Sequence, residues 1–95
     1  MKNLGNMLKQ AQQMQSRMQE MQATLEATEV EGQAGAGMVK VRLTGKGDLR
    51  RVTIDPSLMN ADEREVLEDL LVAAHADAKQ KVEATMAEEM QKATA

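Results

Sequence analysis

The chain has no cysteine, no phenylalanine, tyrosine or tryptophan, a single proline and a single histidine in 95 residues. Without cysteine there is neither a disulfide nor a thiolate metal site, which suits a reducing compartment. Without aromatics the core must be built from Leu, Val, Ile, Met and Ala, and single-stranded nucleic acid has no stacking platform to lie on. The longest unbroken apolar run is Leu70 to Ala74, far short of a membrane span, and the N-terminus is periodic rather than continuously hydrophobic, unlike a signal peptide. These absences predict a soluble, cytoplasmic protein with no membrane partner. An apolar share of 42% is nevertheless that of an ordinary folded domain, and the length is that of one domain, residues 1–95.

What the chain has is periodicity. Of the eight positions from Leu4 to Thr28 spaced alternately by 3 and 4, seven are apolar: Leu4, Met7, Ala11, Met14, Met18, Met21 and Leu25. This is the a/d seam of a coiled coil. It predicts a helix over 4–28, ~37 Å long at 1.5 Å per residue, too long to be covered by the rest of so small a chain. Met7, Met14, Met18, Met21 and Leu25 are therefore expected at a homodimer interface, although Met-rich faces also form adaptable binding grooves.

After Thr28 the period becomes two, and five of the six glycines fall between Gly32 and Gly47. Val39, Val41 and Leu43 alternate with Lys40, Arg42 and Thr44, the pattern of a half-buried strand. Gly45-Lys46-Gly47-Asp48 reads as a turn, and a second strand over Leu49 to Asp55 carries Val52 and Ile54 in phase. A weaker strand around Val30 joins through Gly35-Ala36-Gly37. The sheet, 28–55, is thus a three-stranded antiparallel meander that ends at Asp55-Pro56. Asn60-Ala61-Asp62-Glu63 reads as a capping box opening a helix over 61–94, whose apolar stripe runs through Leu67, Leu71, Ala74, Ala78, Val82, Met86, Met90 and Ala93. The fold class is α+β in the order αβββα.

Net charge is −3, unevenly spread. Residues 38 to 53 hold five bases against one acid, whereas residues 55 to 95 hold ten acids against four bases. Lys2, Lys9 and Arg17 lie within about 80° of one another on the first helix, on its polar side away from the seam's centre and among Gln10, Gln13 and Ser16. Such a face can contact the DNA backbone or serve as a plain solvated exterior. Lys40, Arg42 and Arg51 form an alternative basic surface, or simply keep an exposed sheet face soluble.

Nothing suggests catalysis. Gly45-Lys46-Gly47 lacks the longer glycine spacing and following helix of a phosphate loop. His75 has no partner at metal-ligand spacing, and the acids Asp62, Glu63, Glu65, Glu68 and Asp69 suit the dipole at a helix start. No metal, cofactor or small-molecule substrate is expected.

Three stretches carry a resemblance: Asn6-Met7-Leu8-Lys9-Gln10-Ala11-Gln12-Gln13-Met14-Gln15, Gly35-Ala36-Gly37-Met38-Val39-Lys40-Val41, and Arg51-Val52-Thr53-Ile54-Asp55-Pro56-Ser57-Leu58. Taken in order, with Leu70-Leu71-Val72-Ala73-Ala74-His75-Ala76-Asp77-Ala78, they make the chain resemble the YbaB/EbfC family of small bacterial nucleoid-associated proteins. His75-Ala76 departs from the family, in which Asn stands just before the Asp. The resemblance implies a homodimer with a central body of sheets, helices projecting like tweezers onto double-stranded DNA, a location at the bacterial nucleoid, and no enzymatic activity. It adds Lys79 and Lys81 of the last helix to Lys2, Lys9 and Arg17 as DNA contacts, diluted here by Asp77, Glu83, Glu88 and Glu89. The competing expectation is an adaptor that binds another protein through its Met-rich or acidic helical surfaces.

Overall fold

The computed structural model of the chain describes residues 2–94, and side chains for residues 3–92. Its elements are α1 (Lys2–Ala27), β1 (Glu29–Ala34), β2 (Val39–Thr44), β3 (Leu49–Ile54), two short 3₁₀ turns (Pro56–Leu58 and Ala61–Glu63) and α2 (Arg64–Thr94). The strands form one antiparallel sheet in the order β1-β2-β3, so the αβββα order and the meander read from the periodicity are both present.

The first hairpin reverses through Gly35, Ala36 and Gly37, all at positive φ. Glycine is at ease there and alanine is not, so Ala36 is held in place by the turn, which closes with the Met38 N–H donating to the Gly35 carbonyl. At the second hairpin the buried Thr44 hydroxyl accepts from the N–H groups of both Lys46 and Asp48, at 3.2 Å each. The glycine after it has another task. The Gly45 N–H donates to the Leu25 carbonyl at 2.8 Å, capping the end of α1, and a Cβ on Gly45 would lie 2.6 Å from that same oxygen.

The start of α2 differs from the capping-box expectation. Asn60 makes no side-chain cap; its Nδ2 turns back and donates to the Ser57 carbonyl at 3.1 Å. Asp55 instead caps the first 3₁₀ turn, accepting from the Ser57 N–H. The segment from Pro56 to Glu63 is two tight turns in succession, and the α-helix begins only at Arg64.

One face of the sheet is packed. Val39, Val41 and Leu43 of β2 are buried against Ala74, Ala78 and Val82 of α2, with Leu58 closing one end. Of the expected stripe on α2, Leu67, Ala74, Ala78 and Val82 lie in or against this core, whereas Leu70 packs on it in place of Leu71; Met86 and Met90 are exposed, and the Ala93 side chain lies outside the described residues. The helix lies directly on Gly32 of β1. A Cβ there would run into the Ala74 carbonyl and the Ala78 N and lie 2.6 Å from the Ala78 Cβ, so strand and helix meet backbone to backbone. That contact is fastened by the Gln33 N–H donating to Asp77 Oδ2 at 3.0 Å and by Lys81 Nζ donating to the Glu31 carbonyl at 2.7 Å.

Strand β3 carries an irregularity that the alternating pattern does not reveal. Arg42 pairs with Arg51 but Leu43 pairs with Leu49, leaving Arg50 as the extra residue of a β-bulge. The inserted residue shifts the phase by one and brings Leu49 to the same face as Val52. Both stay exposed, because α2 lies over β1 and β2.

Two measurements test this packing. Gly32→Ala inserts a methyl group where two backbones touch and is expected to cost about 1–3 kcal/mol or more by overpacking. Gly5→Ala on α1, where a Cβ meets nothing within 4 Å, is expected to be neutral or stabilising by up to about 1 kcal/mol. Urea unfolding of the two variants should move in opposite directions. Asp77 supplies the second test. The Gln33 N–H, with Lys81 beside it, holds its carboxyl below the usual range. A depressed folded pKa stabilises above the ordinary value of about 3.9, and that stability disappears as pH falls through the folded value. Asp77→Asn should therefore lower the urea midpoint at neutral pH, and its difference from the parent should narrow as pH falls below about 4.

Candidate functional site

Helix α1 leaves the body of the molecule almost at once. Residues 3–20 are all exposed, Met21 is half-buried, and Leu25 is 3% exposed. The seam thus divides in two. Leu25 packs inside its own chain against the second hairpin and is a core residue, a correction to its expected place at a dimer interface. Leu4, Met7, Met14 and Met18 remain uncovered, with Met7 and Met14 at 65% and 64%. At 1.5 Å per residue α1 spans ~39 Å, and the molecule extends 72 × 18 × 15 Å. Its radius of gyration is 19.5 Å, against about 12 Å for a compact domain of this length.

The basic residues fall in three places. Lys9 and Arg17 are exposed on α1, neither in an ion pair among the described residues; the Lys2 side chain lies outside those residues. On α2, Lys79 is exposed and unpaired among the described residues, but Lys81 is committed within the chain to the Glu31 carbonyl and to Asp77 Oδ2 at 3.2 Å. The two lysines expected to act together therefore do different work: Lys81 joins α2 to β1, and Lys79 faces solvent. On the sheet, the face away from α2 gathers Lys40, Arg42, Arg51, Thr53 and Glu31 around a shallow cleft of about 280 Å³. Arg42 Nε lies 3.8 Å from Glu31 Oε1.

A further feature is not evident from the sequence alone. Leu49 and Val52 on β3, Val41 on β2, and Leu71, Val72 and His75 on α2 line an open apolar groove of about 410 Å³. Val72 is 71% exposed. Its sequence signal is the run Leu70-Leu71-Val72, which puts apolar residues on more than one side of the helix, together with Leu49 just before two arginines. His75 is exposed on the surface of α2, where it lines one wall of this groove.

Among the described residues no three His, Cys, Asp or Glu side chains are placed to hold a metal ion, and no helix is long and apolar enough to cross a membrane. The surfaces on offer are a projecting helix with an apolar stripe and exposed cations, a basic sheet face and an apolar groove.

Comparison with known proteins bears on these surfaces. A family model described as the YbaB/EbfC DNA-binding family matches residues 1–95. A nucleoid-associated protein of Granulibacter bethesdensis is 65% identical over 94 residues, covering 99% of this chain and 88% of that protein. Another, from Rhodopseudomonas palustris, is 61% identical over 88 residues, 93% of this chain and 83% of its own length. The crystal structure of an uncharacterized protein from Helicobacter pylori superposes with a TM-score of 0.74 at 25% identity, covering 100% of this chain and 97% of that one.

Proposed function

We propose that this chain, which belongs to the YbaB/EbfC DNA-binding family, acts at the bacterial nucleoid as a homodimer that binds duplex DNA mainly through backbone contacts. It is a DNA-binding rather than an enzymatic family, and the relatives named as nucleoid-associated proteins support the location. The observation that carries the reading is α1 itself, which is exposed along residues 3–20 and presents both an apolar stripe and the cations Lys9 and Arg17, unpaired among the described residues.

The two kinds of surface have separate roles. The occupant of the apolar ones is a second copy of the chain. A monomer stretched to 72 Å leaves Leu4, Met7, Met14, Met18, Leu49, Val52, Leu71 and Val72 in water, and exposed apolar area on this scale marks an association surface. Met14 and Met18 on α1, with Leu49, Val52 and Val72 around the groove, then form the interface. The cations Lys2, Lys9, Arg17 and Lys79 lie on the helical arms and neutralise phosphates, with Lys81 as a tether that holds α2 in place. Nothing among these groups is arranged to read base edges, so affinity outweighs sequence discrimination. Influence on gene expression would then follow from occupancy of the nucleoid rather than from recognition of one operator.

Dimerisation is tested by Met14→Glu and Val72→Glu, placed on the arm and in the groove. Each puts an unpaired charge into a dry contact, which costs several kcal/mol before relaxation. Sedimentation should show a dimer for the parent and a monomer or unfolded chain for each variant. A folded parent monomer at micromolar concentration overturns the homodimer.

DNA binding is tested with a labelled duplex at two salt concentrations. A dimer neutralising about four to six phosphates gives a slope of log K against log salt of about −4 to −5, so threefold more salt costs about a hundredfold in affinity. Unrelated duplexes of equal length should compete within about tenfold. Lys9→Glu with Arg17→Glu, in a dimer shown to be folded, should weaken binding by about tenfold or more. No binding to any duplex at low salt assigns the helical surfaces to a protein partner instead.

A further inference from the structure

The outer face of the sheet contains a local electrostatic conflict. Arg42 and Arg51 stand directly opposite each other in the β2–β3 register, and like charges at opposed positions destabilise a strand pair. Glu31, opposite Arg42 on the other side, offsets one of them through an exposed contact at 3.8 Å. Arg51 has no ion pair among the described residues, and neither does Lys40, which pairs in register with Thr53 beside it. The bulge inserts a further exposed base, Arg50, next to Arg51. Helix α2 packs on the other face and leaves this one open. A solvated face kept soluble by charge would gain from alternating signs across the strands, as Glu31 and Arg42 do, and would not place arginine across from arginine.

We propose that this cleft is a phosphate-binding site, distinct from the cations on the arms. Arg42 and Arg51 would donate to one phosphate group from its two sides, with Lys40 and the Thr53 hydroxyl as further donors. The anion removes the repulsion that the register carries, so the site binds partly by relieving a conflict already present in the fold. Glu31 is the internal competitor: its carboxylate occupies Arg42 when no phosphate is bound and must give way when one is. Guanidinium groups suit this role because their planar donor array matches phosphate oxygens in pairs. The phosphate can come from a duplex backbone or from a free phosphate chain; the cleft's chemistry is the same for both.

The test uses the full chain and two probes, inorganic tripolyphosphate and a duplex of about 20 base pairs. Three variants are compared with the parent: Arg42→Gln with Arg51→Gln, Arg51→Gln alone, and Glu31→Gln. Without either probe, Arg51→Gln is expected to raise the thermal midpoint, because it removes the repulsion without touching the core. Tripolyphosphate should raise the parent's midpoint and shift the backbone amide resonances of Lys40, Arg42, Arg51 and Thr53, and the double variant should show neither response. Glu31→Gln should tighten binding by about twofold to fivefold, the worth of an exposed ion pair.

A duplex source is distinguished by salt. If the cleft holds a DNA phosphate, the double variant's slope of log K against log salt should be shallower by about 1 for every phosphate it no longer neutralises. Response to tripolyphosphate with an unchanged duplex slope supports a free phosphate chain, and a shallower duplex slope without response to tripolyphosphate supports the DNA backbone. Lys9→Glu with Arg17→Glu should leave the tripolyphosphate response intact, so failure of the arm assignment and failure of the cleft register separately. An unaltered slope with no tripolyphosphate response, or an Arg51→Gln chain no more stable than the parent, overturns the proposal.

Discussion

The rest of the structure depends on one close approach, the backbone of β1 at Gly32 pressed against the backbone of α2 at Ala74 and Ala78. Three small residues permit it, and larger side chains at any of them would drive the helix outward. This approach fixes where α2 crosses the sheet, over β1 and β2, and the Gln33–Asp77 and Glu31–Lys81 hydrogen bonds fix its rotation. With position and rotation both set, the helix cannot also cover β3. Leu49 and Val52 are left facing out beside Leu71 and Val72, so the apolar groove is a direct consequence of how closely β1 and α2 meet.

A similar trade governs α1. Its end is anchored by the Gly45 N–H on the Leu25 carbonyl and by burial of the Leu25 side chain. Residues 3–20 are exposed throughout. An isolated helix of this length is marginal in water even for favourable sequences, and helices in proteins draw most of their stability from packing an amphipathic face. In a lone monomer α1 has no such packing along residues 3–20. In the homodimer proposed above, covering the seam would make it an arm, with Lys9 opposite the seam and Arg17 at its flank left in water.

Much of this is legible in the residues, and the discrepancies have identifiable causes. Period-two alternation locates β2 and β3, and the 3–4 spacing locates α1, because both patterns report directly on which side chains a regular element turns inward. Leu25 lies in the core rather than at an interface because a heptad reports apolar spacing and is silent on which partner, within the chain or outside it, each position meets. The α2 stripe holds at Leu67, Ala74, Ala78 and Val82, and Leu70 replaces Leu71 because the run Leu70, Leu71, Val72 is equally apolar and the close contact with Gly32, distant in sequence and without a side chain, is not visible in it. Asn60 fails as a cap because Pro56 starts a tight turn that draws its amide back onto Ser57. The bulge at Arg50 leaves only an indirect trace, a leucine out of phase with its strand.

Charge is the least legible property, because composition does not record commitment. Lys79 and Lys81 read as equivalent lysines two residues apart on a helix. Two positions correspond to about 200° of helical rotation, enough to place one in solvent and the other over β1. Arg42 and Arg51, on separate strands, read as two unrelated surface bases until the register sets them opposite each other. The net charge of −3 is thus a poor guide to what an anion would meet. Asp77 on α2 neutralises one lysine and fastens the fold, while the cations described on α1 and on the outer sheet face are left unpaired or only weakly paired. In the reading proposed above, a polyanion would meet those two surfaces together with Lys79, and the acidic remainder would disfavour contact elsewhere.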